Sequence, residues 1–368
     1  MSAPRSRPGV LQMVDTLDPG GLERLACDVA NLLPRARYRS SLCTTRRSGE
    51  LARGLSPEVS RLDLARRWRF DPLAIARLRH FLSRHQIAII HAHGHSLLPA
   101  VLAATLCPRT AVVWHVHSGA WSSRRPPRSW RLATRRVAFT FTVTEALARW
   151  CTDTLALAPA RVAYLPNFLP VRPSTGALDP ALPACMGKRL VCVANLRPEK
   201  DLATLVAAMA RLVRQRADVQ LLIAGRGDAG ARAELDRTIT AAGLGAHVTC
   251  LGHRRDIPAL LQACDAAVLS SRSEGFPLAL LEYGAAGLPV AATRVGQCAE
   301  ILDHGRAGLL VAPRDPPALA AAMARLLGPA GRALGRRLTA RVAERYAPAA
   351  ILERICACYA RVAQHPLP

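Results

Sequence analysis

Leu190-Val191-Cys192-Val193-Ala194 is followed, after Asn195 to Asp201, by an alanine-rich amphipathic stretch over 202–215 and then by Val219-Gln220-Leu221-Leu222-Ile223-Ala224. Two short apolar runs separated by a helical pattern predict a strand–helix–strand unit. The alternation continues downstream, with helices expected at 230–242, 256–264, 278–286 and 348–363 and strands at 247–251, 266–270, 289–293 and 308–312. Upstream, strands are expected at 9–14, 38–44, 87–92, 110–116, 138–143 and 161–165. Pro166, Pro170, Pro173, Gly176, Pro180, Pro183 and Gly187 interrupt the rhythm between the halves, a linker composition. Alternation of this kind is the pattern of parallel α/β domains. It predicts two doubly wound domains, 1–170 and 188–346, a linker over 171–187, and a terminal segment 347–368. Ligand sites are then expected at the carboxyl ends of the strands, in a cleft between the domains.

Composition supports a folded protein with anionic partners. The 368 residues are 50% hydrophobic and 21% charged, which excludes wholesale disorder. The formal net charge is +24, and residues 1–186 carry 26 arginines against 11 acids. Only Lys188 and Lys200 are lysines. Such a charge attracts phosphates, acidic lipid or nucleic acid. Aromatics are only 4% and no nucleic-acid module is evident, so nucleic acid is not expected as a partner. Eleven cysteines without a C-x-x-C pair read as reduced thiols. No leader sequence and no apolar run of about 18 residues is apparent, so a cytoplasmic protein without a spanning helix is expected. Arg124, Arg125, Arg128, Arg131, Arg135 and Arg136 surround Trp130 without an acid. This stretch reads as a solvated face or as a peripheral contact with anionic lipid, with Trp130 at headgroup depth.

The chemistry concentrates in Glu274-Gly275-Phe276-Pro277-Leu278-Ala279-Leu280-Leu281-Glu282. A strand feeds a loop carrying Glu274, and a helix begins near Leu278 with Glu282 one turn inside. Free N–H groups at a helix start favour anions, and a carboxylate accepts hydrogen bonds from two vicinal hydroxyls. Taken alone, the pair also fits an ordinary helix with an N-terminal glutamate. Asn195-Leu196-Arg197-Pro198-Glu199-Lys200-Asp201 follows the first strand of the second domain, aiming cations at the same cleft. Asp18-Pro19-Gly20-Gly21 follows the first strand of the chain, where a glycine pair lets backbone approach a ligand.

With these motifs in place the chain resembles the retaining glycosyltransferases of family 4, of GT-B architecture. The resemblance rests on Gly20-Gly21, Val113-Trp114-His115-Val116-His117-Ser118, Leu196 to Lys200 and the run from Glu274 to Glu282, with Leu165-Pro166-Asn167, Ala224-Gly225-Arg226-Gly227 and Leu251-Gly252 in matching order. It implies two Rossmann-like domains and a C-terminal helix returning to the first. It also implies transfer of a hexose from a nucleotide-diphosphate sugar to a sugar or lipid-linked acceptor, with retention and without cofactor or metal. The expected setting is bacterial cell-surface polysaccharide or glycolipid synthesis, at the inner face of the membrane. By the same resemblance Arg197 and Lys200 grip the diphosphate, with Gly20 and Gly21 opposite. Glu282 holds the ribose, and Glu274 with the backbone at Gly275, Phe276 and Leu278 holds the sugar. His117 lies under the sugar, and Gly225, Arg226 and Arg254 lie near the base. The family often has Arg where this chain has Asn195, which moves the phosphate grip toward Arg197.

His91, His93, His95, His115 and His117 fall within 27 residues. They read as strand-end residues, with His117 functional, or His115 if the register shifts by two, rather than as a metal site. A sugar-nucleotide epimerase or hydrolase of the same architecture is the rival enzyme reading, and an anionic-polymer-binding protein is the rival from another class.

Overall fold

The computed structural model describes residues 7–68, 71–117, 126–170, 182–185 and 187–364. The chain forms two compact units, one made of residues 1–168 with 348–368 and the other of 169–347. Most of the expected linker lies outside the described residues.

In the first unit β1 (Gly9–Thr16), α1 (Gly21–Leu32), β2 (Arg39–Arg47), β3 (Ser60–Asp63), α2 (Pro72–Arg84), β4 (Ile87–His93), α3 (Leu97–Thr105), β5 (Ala111–Val116), α4 (Arg128–Thr134), β6 (Val137–Thr142), α5 (Glu145–Asp153) and β7 (Val162–Tyr164) succeed one another. The strands form one parallel sheet in the order β3-β2-β1-β4-β5-β6-β7. The chain direction across the sheet reverses between β1 and β4, which opens a crevice at their carboxyl ends.

The second unit repeats the scheme with β8 (Lys188–Val193), α6 (Leu202–Gln215), β9 (Val219–Ala224), α7 (Ala229–Ala241), β10 (Val248–Gly252), α8 (Ile257–Gln262), β11 (Ala266–Leu269), α9 (Leu278–Ala285), β12 (Val290–Thr293), α10 (Cys298–Ile301), β13 (Leu309–Val311), α11 (Pro316–Leu326) and α12 (Pro329–Arg345). Its sheet runs β10-β9-β8-β11-β12-β13, again parallel, with the switch between β8 and β11. All six residues of β9 are buried because both sheet faces are covered by helices, which explains its unbroken apolar run. Asp228 starts α7 by accepting from the Ala231 N–H at 2.7 Å, and Asp315 starts α11 by accepting from Ala318 at 2.9 Å.

The last helix, α13 (Pro348–Gln364), packs against the first unit. Ile351, Leu352, Ile355, Cys356, Cys358, Tyr359 and Val362 are buried against Val10, Ile89, Val113, Phe139 and Phe141. Their spacing places them on one stripe of the helix, and burial of each large side chain is worth about 1.5–3 kcal/mol. The Tyr38 hydroxyl donates to the Cys356 carbonyl at 3.1 Å and the Arg354 guanidinium caps the Tyr164 carbonyl at 2.5 Å.

Strand β3 and helices α11 and α12 stand where the sequence suggests no element. Ser60-Arg61-Leu62-Asp63 is a short edge strand with one apolar residue, too brief to show a period. No cysteine is bridged among the described residues, and burial pushes the thiols of Cys151, Cys192 and Cys298 up to about 12. No described helix is long and apolar enough to cross a membrane.

Candidate active site

In the second unit the loops after β8 and β11 meet at the carboxyl edge, beside the switch point. The Lys200 ammonium bonds Glu274 Oε1 at 2.6 Å, and the Ser271 hydroxyl donates to the same oxygen at 2.6 Å. The Glu274 side chain is 9% exposed and that of Lys200 22%. Ser270 donates to the Lys200 carbonyl at 2.9 Å, the Arg272 N–H to Glu199 at 2.8 Å, and Thr293 Oγ1 to the Ser271 carbonyl at 2.6 Å. The two loops are thus stitched together beneath the ion pair. Asp201, in the left-handed region at φ 48°, turns the chain from Lys200 into α6. Lys200 therefore lies at the N-terminus of a 14-residue helix, and Glu274 lies before the N-terminus of α9.

Helix α9 is fastened to β8 by the Val193 N–H, which donates to the Tyr283 hydroxyl at 2.7 Å. Burial drives that phenol well above its ordinary range, so it stays neutral. Glu282, the neighbour of Tyr283, is half-buried. Phe276 is buried and packs edge-on to Tyr346 at 5.5 Å. Gly296 passes so close behind the Glu274 loop that a Cβ would lie 2.3 Å from the Glu274 carbonyl, and its φ is +51°. Gly225 is equally constrained, since a Cβ there would lie 1.8 Å from the Ala194 carbonyl.

The edge of the first unit carries Gly20 and Gly21 at the start of α1, and His117 immediately after β5. His93, the last residue of β4, places Nδ1 3.0 Å from His117 Nε2. His91, His93 and His115 offer nitrogens all within 4.8 Å of one another. Their rings are stacked, His91 on His115 at 5.3 Å and 5°, and His91 on His93 at 4.5 Å and 23°. A tetrahedral ion bonded at about 2.0–2.1 Å needs nitrogens about 3.3–3.4 Å apart with converging lone pairs. Stacked rings aim theirs in parallel, so these three do not form a cage as folded. Burial lowers the pKa of all four histidines, His93 to about 3, so each is neutral near pH 7.

Family models described as Glycosyltransferase Family 4 and Glycosyl transferases group 1 match residues 19–172 and 187–328. The chain belongs to glycosyltransferase family 4. It is 34% identical over 190 residues to an exopolysaccharide phosphotransferase of Streptomyces coelicolor, covering 50% of this chain and 19% of the relative. It is 29% identical over 279 residues to a GDP-mannose-dependent alpha-(1-6)-phosphatidylinositol monomannoside mannosyltransferase of Mycobacterium tuberculosis, covering 70% and 71%. The chain spans less than half the length of several curated relatives that it matches. The Anabaena protein HepE, in a crystal structure with UDP and glucose, superposes with a TM-score of 0.79 at 20% identity, over 95% of this chain and 99% of that one. The two-domain GT-B fold follows from that likeness.

Within this family 4 chain, the residues expected at the site fall into groups. Lys200, Glu274, Gly275, Phe276, Leu278 and Glu282 share the β8–β11 edge, and Gly225 with Arg226 forms the turn after β9. Asn195 explains that turn, because its Oδ1 accepts from the Arg226 N–H at 3.0 Å. Arg197 is 63% exposed and its nearest acid is Glu199 at 4.0 Å. Its N–H donates to the Asn195 carbonyl at 2.8 Å, so the chain turns at Leu196 instead of running extended. Arg254 is buried, with its guanidinium on Asp256 at 2.8 and 2.5 Å, a structural pairing within its own loop. Sequence reasoning passed over Ser271, Thr293 and Tyr283. The polar run Ser270-Ser271-Arg272-Ser273 at a strand's carboxyl end was the available signal for the first.

Proposed function

We propose that the protein is a retaining, metal-independent glycosyltransferase that moves a hexose from a nucleotide-diphosphate sugar to an acceptor hydroxyl in polysaccharide or glycolipid assembly. The observation that carries the reading is the Lys200–Glu274 pair, set at the N-termini of two helices on one strand edge. A diphosphate placed there meets the Lys200 ammonium, the exposed Arg197 guanidinium and unpaired helix N–H groups. These supply the positive charge that a divalent ion supplies in other transferases. Glu274, anchored by Lys200 and Ser271, accepts hydrogen bonds from the sugar, and Glu282 from the ribose. Arg226, which is exposed, serves the base better than the buried Arg254. In the first unit, we assign backbone at Gly20 and Gly21 to the diphosphate and His117 to the sugar on the family resemblance.

The acceptor oxygen attacks the anomeric carbon from the face that the diphosphate leaves. The C–O bond to the β-phosphate breaks as the new glycosidic bond forms, and the acceptor proton passes to the departing phosphate oxygen. Catalysis then rests on charge stabilisation and positioning. The reading is tested by thermal shift with UDP, GDP and ADP in EDTA, followed by NMR of the product. One diphosphate at 100 times its Kd should stabilise the protein by about 2.7 kcal/mol, and the product should keep the donor's anomeric configuration. An inverted product, or activity lost in EDTA and restored by Mg²⁺, overturns the mechanism. An epimerised donor without a glycoside would favour the epimerase.

We also propose peripheral binding to anionic membrane through α4. Arg124 and Arg125 lie outside the described residues. Arg128, Arg131 and Arg135 are exposed, and Leu132 is 66% exposed among them. Trp130 does not take the expected place at headgroup depth, because it is buried edge-on against Trp114 at 5.6 Å. Each arginine near such a surface is worth about 1 kcal/mol. Replacing Arg128, Arg131 and Arg135 by Ser should weaken co-sedimentation with phosphatidylserine vesicles about 100-fold, whereas unchanged binding would exclude this surface.

A further inference from the structure

A continuous hydrogen-bonded chain crosses the first unit from its C-terminal helix to the strand edge. The Tyr359 hydroxyl of α13 lies 2.6 Å from His91 Nδ1 and accepts from Gln12 Nε2 at 3.0 Å. Gln12 Oε1 lies 2.9 Å from His93 Nε2, and His93 Nδ1 lies 3.0 Å from His117 Nε2. Gln12, His91, His93 and Tyr359 are at most 1% exposed, so no solvent enters this chain to reverse a bond.

Its polarity can be followed atom by atom. The Gln12 amide donates through Nε2 to Tyr359, so its carbonyl oxygen must receive a proton from His93. His93 therefore carries hydrogen on Nε2. Burial holds it neutral, with a pKa near 3, so its Nδ1 has only a lone pair to offer. His117 must then donate through Nε2, which leaves His117 Nδ1 unprotonated. That nitrogen has no partner among the described residues, and it belongs to a residue only partly buried at the carboxyl end of β5.

We propose that Tyr359, Gln12 and His93 are positioning residues that fix His117 as the Nε2–H tautomer, so that Nδ1 is presented as the hydrogen-bond acceptor for a donor-sugar hydroxyl. This rests on the transferase reading above. The chain has only two self-consistent polarities. Rotating the Gln12 amide by half a turn reverses every bond and turns His117 into a donor at Nδ1. The orientation of one buried amide, bonded to a tyrosine that lies 347 residues away in sequence, thus decides what His117 can do.

Histidine ¹⁵N NMR of the intact protein reads the tautomer directly, without substrate. His117 in the unaltered protein should carry hydrogen on Nε2. Gln12→Leu, which keeps the apolar packing, should give a mixture of tautomers, and Tyr359→Phe should do so to a lesser degree. In the transfer assay kcat should fall about 10- to 100-fold in Gln12→Leu, with KM changed less than about twofold, since a misplaced acceptor affects positioning. The proposal is overturned if His117 carries hydrogen on Nδ1. It is also overturned if both variants fold with the unaltered tautomer, or if KM rises while kcat holds. The spectrum can fail while transfer stands, and transfer can be absent while the spectrum holds, so the two readings fail separately.

Discussion

Lys200→Ala should lower kcat about 10²- to 10³-fold, the loss typical when one fixed charge-stabilising group is removed from a transition state. The ammonium is the only lysine charge on the β8–β11 edge and is held at 2.6 Å on Glu274. On the proposed reading it faces the leaving diphosphate at the moment its charge grows. Removing it also leaves a carboxylate that is 9% exposed, with the Ser271 hydroxyl as its remaining hydrogen-bond partner among the described residues. An uncompensated buried charge costs about 3–5 kcal/mol, and partial solvation here reduces that to about 1–3 kcal/mol. Lys200→Ala should therefore be less stable as well as slow. The double variant Lys200→Ala/Glu274→Gln separates the effects, because it removes both charges. It should regain the stability and stay inactive. A double variant that regains activity, or a Lys200→Ala enzyme within tenfold of the unaltered kcat, would refute the role of Lys200. Urea midpoints and steady-state rates measure the two effects.

The second large effect is acid sensitivity of the first unit. His91, His93, His115 and His117 are kept neutral by burial, His93 with a pKa of about 3. The unfolded chain takes up these protons below about pH 6.5. Stability is thus fully present above 6.5 and falls as the pH drops toward each folded value. Each histidine costs up to about 1.4 kcal/mol per pH unit, so four give a slope near 5 kcal/mol per unit around pH 5. A domain of ordinary stability, about 5–15 kcal/mol, should unfold between roughly pH 5 and 4. The carboxyls held low by hydrogen bonds, Asp71, Asp218 and Asp303, add to this only below about pH 3.8. All five tryptophans lie at or before Trp150, so tryptophan fluorescence reports this unit alone. Its urea midpoint should drop steeply from pH 7 to 5. His115→Phe should flatten the slope by about a quarter, since both His115 nitrogens lack a hydrogen-bond partner among the described residues. A flat midpoint over that range would show that the histidines are solvated.

What was legible in the sequence was what depends on local pattern. Helix α6 and strand β9 fall where the periodicity puts them, and the Glu274–Glu282 run lies across a loop and a helix start as its composition suggests. What was hidden depends on distant partners. Arg254 is the local exception, since Asp256 two residues on was the available signal that its charge is committed within the loop rather than offered to a ligand. Nothing near Trp130 says that Trp114 will bury it. The histidines read as strand-end residues in one dimension, and only the fold shows that their rings stack. The bond from Gln12 to Tyr359 spans nearly the whole chain, beyond the reach of any local pattern.

The return of α13 to the first unit has a consequence for how the molecule is made. Residues 169–347 are contiguous, so that unit can finish folding as soon as its own strands have left the ribosome. The first unit is synthesised earlier yet lacks Ile355, Cys356 and Tyr359 until α13 emerges. Until then the apolar face of β1, β4, β5 and β6 lacks the cover of α13, and newly made chains are most exposed to aggregation during this interval. Synthesis of α13, and not of its own strands, therefore sets when the N-terminal half becomes native.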